Sequence, residues 1–310
     1  MKMSTETILV VSCLHRGFIH RFIFLIIIWV ITMLRCNAYF SLLMAIFLLS
    51  LSNLVLAAPA SELWDKWTLH DADSKLIIDH SEWDDLTRRF VTQSQDGINR
   101  IGYSKFQDAD KQQLRAYILA LSTTPISQYK RDEQRAFWIN LYNAMTVKVI
   151  LDNYPVASIR KVKSGFFSSG PWDKKLVTVD AEKITLNDVE HRILRPIWQD
   201  ARIHYAVNCA SIGCPNLQPR AFTAKNTEAM LAEAAVEFIN HRRAVEVKGG
   251  KLRVSSIYKW YKVDFGGTDA SVIGHLRRYA KPILAQQLRN IESIDDDSHY
   301  NWAINSLNPL

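Results

Sequence analysis

Cysteine is scarce in this chain, with four among 310 residues. No Walker loop, zinc ribbon or dinucleotide fingerprint appears, so the commonest nucleotide and structural-zinc signatures are absent. No solenoid-type period recurs, and no low-complexity run or Pro/Gly/Ser-rich linker interrupts the body, which excludes repeat and disordered architectures. Charge of one sign is also not gathered anywhere. Of the formal +7, Lys2, Arg16, Arg21 and Arg35 against Glu6 supply +3 before residue 60, leaving +4 scattered among acids. A nucleic-acid footprint would cluster its basic residues, so no nucleic-acid partner is expected.

What is present is apolar: 48% of residues are hydrophobic and 11% aromatic, ample for a core of one or two domains. Two apolar stretches come first. Phe22 to Leu34 lies between Arg21 and Arg35 and is short for a membrane span. Ala38 to Ala58 follows Met33-Leu34-Arg35 and ends in "LAAPAS", the charged start, apolar middle and small-residue end of a secretory signal peptide. Residues 1–32 therefore read as an upstream extension and 33–60 as a signal peptide, with an uncleaved anchor over 38–58 as the alternative. The body, 61–310, is expected to be an exported, periplasmic or secreted single domain that meets the membrane only through its N-terminal segment. Cys13 and Cys36 sit in the leader, so the body keeps only Cys209 and Cys214.

Along the body, Asp108 to Ser122 and Arg131 to Tyr154 have the composition and endings of helices. The second is apolar on nearly every side, hence buried and central. Lys174 to Leu186, with a turn at Asp180-Ala181, and Val245 to Val254 read as hairpins. Asn187 is expected to cap a short helix with Glu190 in the capping-box position and Pro196 stopping it. Arg202 to Val207 and Tyr300 to Asn305 are expected as strands, and Thr268 to about Ile291 as helix broken at Pro282. Helices and hairpins alternate without a βαβ rhythm, so the fold class is α+β.

Several blocks together, "RAFWINLYNAMTVKVIL", "LNDVEHRILRP", "ARIHYAVNCASIGCPNL", "SSIYKWYKVDF" and "YNWAIN", resemble the domain of unknown function 547 family, over roughly residues 131–305. The resemblance implies that the Asn-bearing helix, the Glu-His pair and the cysteine loop belong to one architecture. It implies no activity.

The chemistry-bearing residues gather in those blocks. Asn140 and Asn143 lie on a helix that must be buried, where an unpartnered amide costs about 1–3 kcal/mol, so they need a network or a cleft floor. Cys209 and Cys214, in a loop with Asn208, fit a local disulfide, a nucleophile with His204 or His191 as base, or buried free thiols. Cys-x4-Cys with distant histidines is a poor zinc set, so no metal and no cofactor is expected. A buried helix followed by a strand histidine has the layout of papain-like or transglutaminase-like enzymes, although Asn stands where Cys is wanted. Tyr258, Trp260, Tyr261 and Phe265 fit either a peptide or glycan groove or simple packing. The stretch Ser164 to Trp172 has the Gly/Ser composition of a lid. Two functions follow as expectations. One is a thiol-dependent hydrolase or acyl transferase with Cys209, His204 and His191 as its catalytic residues. The other is a binding module for a small-molecule, peptide or envelope ligand held by Asn140, Asn143, Glu190, Asn208 and Cys214, with Cys209–Cys214 as a structural or redox disulfide.

Overall fold

The computed structural model describes residues 59–163, 165 and 170–308. Residues 1–58, which hold nearly all of the expected leader, lie outside the described residues, as do Ser164 and residues 166–169 of the expected lid.

Helix α1 (Ser81–Phe90) leads into the antiparallel pair β1 (Val91–Gln93) and β2 (Asn99–Ile101). Helix α2 (Asp108–Ser122) opens with a reciprocal box between Gln107 and Asp110 and packs on α3 (Arg131–Asn153). In α3, seventeen of the twenty-three residues are buried, because the apolar side chains point in all directions and every direction meets protein. It ends where a Pro155 ring forbids another helical turn.

The hairpin β3 (Val177–Val179) and β4 (Glu182–Ile184) turns at Asp180 and Ala181, both at positive φ of 45° and 65°, the backbone of a two-residue type I′ turn. A π-helix, Asp188–Leu194, then runs into the single turn α4 (Arg195–Trp198). After the cysteine loop come α5 (Thr227–Ile239), the antiparallel pair β5 (Val245–Lys248) and β6 (Lys251–Ser255), the turn α6 (Ile257–Trp260), then α7 (Asp269–Tyr279) and α8 (Pro282–Leu288). Strand β7 (Asp296–His299) joins β6 in parallel, Arg253 facing Asp296. The result is an α+β fold, its small sheets disposed around a buried central helix. One core surrounds α3; a second lies between α5, β5–β6 and α7–α8.

Two expected strands are absent. Residues Ala201–Tyr205 form a 3-10 helix, because the Asp200 carboxylate accepts the Arg202 amide at 2.9 Å and starts a turn. The papain-like layout loses its strand histidine with it. Tyr300 to Asn305 is irregular, since its backbone is shared among several partners: Ile304 donates to Ala157, Asn305 donates to Ala210 and accepts from Ile101. The capping box expected of Asn187 and Glu190 is displaced. Asn187 is already helical and caps nothing; Thr185 and Asp188 form the reciprocal pair instead, each side chain accepting the other's amide at 2.9 Å.

Candidate functional site

The π-helix decides which way the Glu-His pair points. An α-helix turns adjacent residues apart by about 100°, whereas the wider π turn rotates less per residue. Glu190 and His191 are consequently both buried toward the domain interior. One turn further, Arg195 Nη1 donates to His191 Nδ1 at 3.0 Å. That makes Nδ1 an acceptor and places the His191 proton on Nε2. Burial, with Arg195 adding to it, holds the His191 pKa below its ordinary value despite Glu190.

Arg195 also grips Asp264 in a fork, Nε to Oδ2 at 2.6 Å and Nη2 to Oδ1 at 3.1 Å. The same Asp264 Oδ2 lies 2.6 Å from Nε2 of His204. The other ring nitrogen of His204, Nδ1, is 3.5 Å from Glu190 Oε1 and out of hydrogen-bond alignment. Tyr261 closes the cluster by stacking on His204, with centroids 3.9 Å apart and planes 24° apart.

Burial alone would strip the His204 proton, but the Asp264 and Glu190 carboxylates outweigh it and raise the pKa. Burial would likewise neutralise the acids. Glu190 is nevertheless held down to about 2 by the His191 and His204 rings and the Tyr261 hydroxyl, and Asp264 to about 2 by His204 and Arg195. His204 is thus held toward its protonated form, with Asp264 and Glu190 on either side of the ring.

Around Glu190 the surroundings turn aromatic. Burial pushes the Tyr142 hydroxyl well above its ordinary value, and the group interacts with both Glu190 and Trp172. Trp172 meets Trp302 edge-on at 5.9 Å, Trp302 lies 5.6 Å from Trp260, and Tyr300 is within 5 Å of both Trp260 and Trp302. Trp172, Trp260, Tyr261, Tyr300 and Trp302 are all partly exposed. Tyr258 and Phe265 are buried in the second core and pack on each other at 5.1 Å.

The cysteine loop has different neighbours. The sulfurs of Cys209 and Cys214 are at bonding distance and their Cα atoms 6.3 Å apart, inside the range a disulfide bridges. Ser211 Oγ and Tyr300 Oη lie 3.2 and 3.1 Å from the Cys209 sulfur. These are hydroxyls; the hydrogen-bond partners of His204 and His191 are Asp264 and Arg195.

The asparagines hold backbone. Asn140 donates to Phe222 O at 2.7 Å and accepts the Phe222 amide at 3.0 Å. Asn143 does the same across Ala206 O, at 2.9 Å, and the Asn208 amide, at 2.8 Å. Asn208 in turn donates to Pro215 O at 2.7 Å and accepts from the Ala210 amide and Asn305, closing the loop from within. The central helix therefore fixes both ends of the segment from Ala206 to Phe222, which carries the cysteines and follows directly on His204 and Tyr205. Among the described residues no group of three or more His, Cys, Asp or Glu side chains is placed to hold a metal ion.

Asp264, Arg195 and Tyr142 complete the site, and sequence reasoning did not single them out. A signal was there: Arg195 follows His191 by one helical turn, and Asp264 is the one acidic residue of the "SSIYKWYKVDF" block.

Fold and site together define an α+β domain with a buried histidine–carboxylate–guanidinium cluster beside a partly exposed aromatic surface. Residues 126–239, from just before α3 to the end of α5, match the family described as "Protein of unknown function, DUF547", and the chain carries a domain of that family. No curated protein and no solved structure matches the chain. Asp264 and the aromatics Trp260, Tyr300 and Trp302 lie beyond the matched residues.

Proposed function

We propose that this domain is a binding module for a polar ligand of the cell envelope, held against the aromatic surface beside Glu190, with Cys209–Cys214 as a structural disulfide. The observation that carries this reading is the ionised Glu190 carboxylate, buried yet joined through Tyr142, Tyr261 and Tyr300 to partly exposed tryptophans. Flat aromatic faces supply apolar contact, and a carboxylate with tyrosine hydroxyls supplies orientation. The ligand class is one bearing hydroxyl or ammonium donors on an apolar frame, as saccharides and amine-bearing peptides do. On this reading the leader acts as an export signal and the domain meets such ligands in the cell envelope.

A thiol-dependent hydrolase or acyl transferase is the competing reading. It needs a reduced Cys209 and an adjacent base, whereas the Cys209 sulfur has Cys214, Ser211 and Tyr300 around it and His204 is engaged by Asp264.

Titration of soluble peptidoglycan fragments against intrinsic tryptophan fluorescence tests the binding reading. Saturable quenching that Trp260→Ala and Glu190→Gln each weaken is the expected result. Turnover of an acyl substrate that Cys209→Ser abolishes, with no quenching by any fragment, would replace binding by catalysis.

A further inference from the structure

A groove of about 570 Å³ in the same domain is walled by Asp96 and Ile98, by Ile212 and Gly213 of the cysteine loop, by His241 to Arg243, and by the β5–β7 sheet with Asn301. Its volume suits a small molecule rather than a polymer. Its charges are uneven. Arg253 is paired with Glu246, and Asp96 with Arg100 at 2.7 Å. Arg242 and Arg243 have no carboxylate within 4 Å among the described residues, and His299 stands nearby on the same wall.

Arg243 is the unusual member. Its side chain is buried, at 8% exposure, under the weight of only neutral acceptors: Asn216 Oδ1 at 2.6 Å and Ile212 O at 3.4 Å. Its Nε has no partner at all among the described residues. Burial drags its pKa down to about 10, although Glu237 and Asp96 at longer range oppose this. A buried guanidinium without a counter-ion is costly and calls for an anion. The neighbouring His241 does not share the load: it accepts the Arg243 amide at Nδ1 and lies 2.8 Å from Asp96 O through Nε2, which makes it a neutral ring. Close approach is built in as well, because a side chain at Gly213 would strike the Asn301 backbone at 2.8 Å.

We propose that this groove binds a phosphate-bearing polar small molecule, with Arg242 and Arg243 as its anion contacts. Two unpaired guanidinium groups match a dianion better than a single carboxylate, and Arg forks suit phosphate oxygens. The remaining groove wall, with backbone of the cysteine loop and the Asn301 amide, accommodates the polar body of the ligand. The phosphate has two sources, a soluble phosphorylated sugar or the headgroup of an anionic phospholipid.

Calorimetric titration of the whole protein separates them. The probes are inorganic phosphate, glucose 6-phosphate, glucose as the neutral control, and phosphatidylglycerol vesicles against phosphatidylcholine vesicles. Saturable binding of glucose 6-phosphate without glucose binding assigns a soluble ligand; binding only to phosphatidylglycerol vesicles assigns a headgroup. In either case Arg242→Gln should weaken binding by about tenfold, and Arg243→Lys, which keeps the charge and loses the fork, should weaken it further. Arg242 is exposed, so its variant folds and decides the matter even if Arg243→Lys does not. Trp260→Ala should leave this binding unchanged, which keeps it apart from the aromatic surface. Absence of saturable binding by any phosphate-bearing probe at about 10 mM, or equal affinity in the Arg242→Gln protein, overturns the proposal.

Discussion

His204 and Asp264, sixty residues apart in the chain, meet at 2.6 Å through Nε2 and Oδ2, and Arg195 binds the same carboxylate. Asp264 therefore compensates two buried cations at once. Removing one partner of such a cluster strands the others in a medium that cannot solvate them.

Asp264→Asn should accordingly lower stability by about 3 kcal/mol, read as a shift in the urea midpoint at neutral pH. His204→Gln in the same background should cost less than it does alone, since the imidazolium is already uncompensated. Purely additive losses in this double-mutant cycle would mean the pair is not coupled.

Asn143→Leu removes an amide that satisfies the Ala206 carbonyl and the Asn208 amide together. A loss of about 2–4 kcal/mol is expected, with helical circular dichroism retained. Asn140→Leu should behave alike through Phe222. A neutral effect would show that water or a rearranged loop takes over both backbone groups.

Acid should destabilise the fold in two stages. Burial holds His80 and His275 at about 4, against about 6.5 in an unfolded chain. Below about pH 6.5 the unfolded chain takes up protons that the folded one refuses, so stability falls between roughly 6.5 and 4. The depressed Glu190 and Asp264 act lower: their contribution is present above their unfolded values and is lost as pH falls toward about 2. His204, raised instead, contributes fully below its unfolded value and loses that contribution as pH rises through its folded one. His80→Gln, which retains a polar partner for the Tyr117 hydroxyl 2.7 Å away, should flatten the urea midpoint between about pH 6.5 and 4. An unchanged slope would clear His80.

Cys209 and Cys214 should resist alkylation unless reductant is present, as peptide mapping by mass spectrometry can determine. The Cys209→Ser/Cys214→Ser protein should lose about 2 kcal/mol, the entropy of so small a loop. Equal labelling with and without reductant would mean free thiols.

Much of this architecture is written locally. The all-round apolarity of 131–153, the turn at Asp180-Ala181 and the hairpin at 245–254 each follow from neighbours in sequence, and the structure has all three. The buried Asn140 and Asn143 are legible for the same reason, because polar residues on such a helix must find partners. What escapes sequence reasoning depends on distance along the chain. The run "HYAV" has strand composition, yet the Asp200 carboxylate turns it into a 3-10 helix. Glu190 looked like a cap because the real capping pair sits two residues earlier at Thr185 and Asp188. Nothing near His204 announces that Asp264 will face it; only the folded α6–α7 connection brings them together.

The segment from Tyr300 to Leu307 has a temporal consequence. Its backbone closes onto Ile101, Ala157, Ala210, Ile212 and Gly213, segments made up to two hundred residues earlier. During synthesis those groups must wait open until nearly the whole chain has emerged, because no nearer stretch can substitute for Asn305 or Ala303. Closure of such distant pairings is slow. A chain halted at about residue 299 should therefore remain protease-sensitive around the cysteine loop, where the Ala210, Ile212 and Gly213 backbone lacks its partners, and limited proteolysis of the truncated protein checks this.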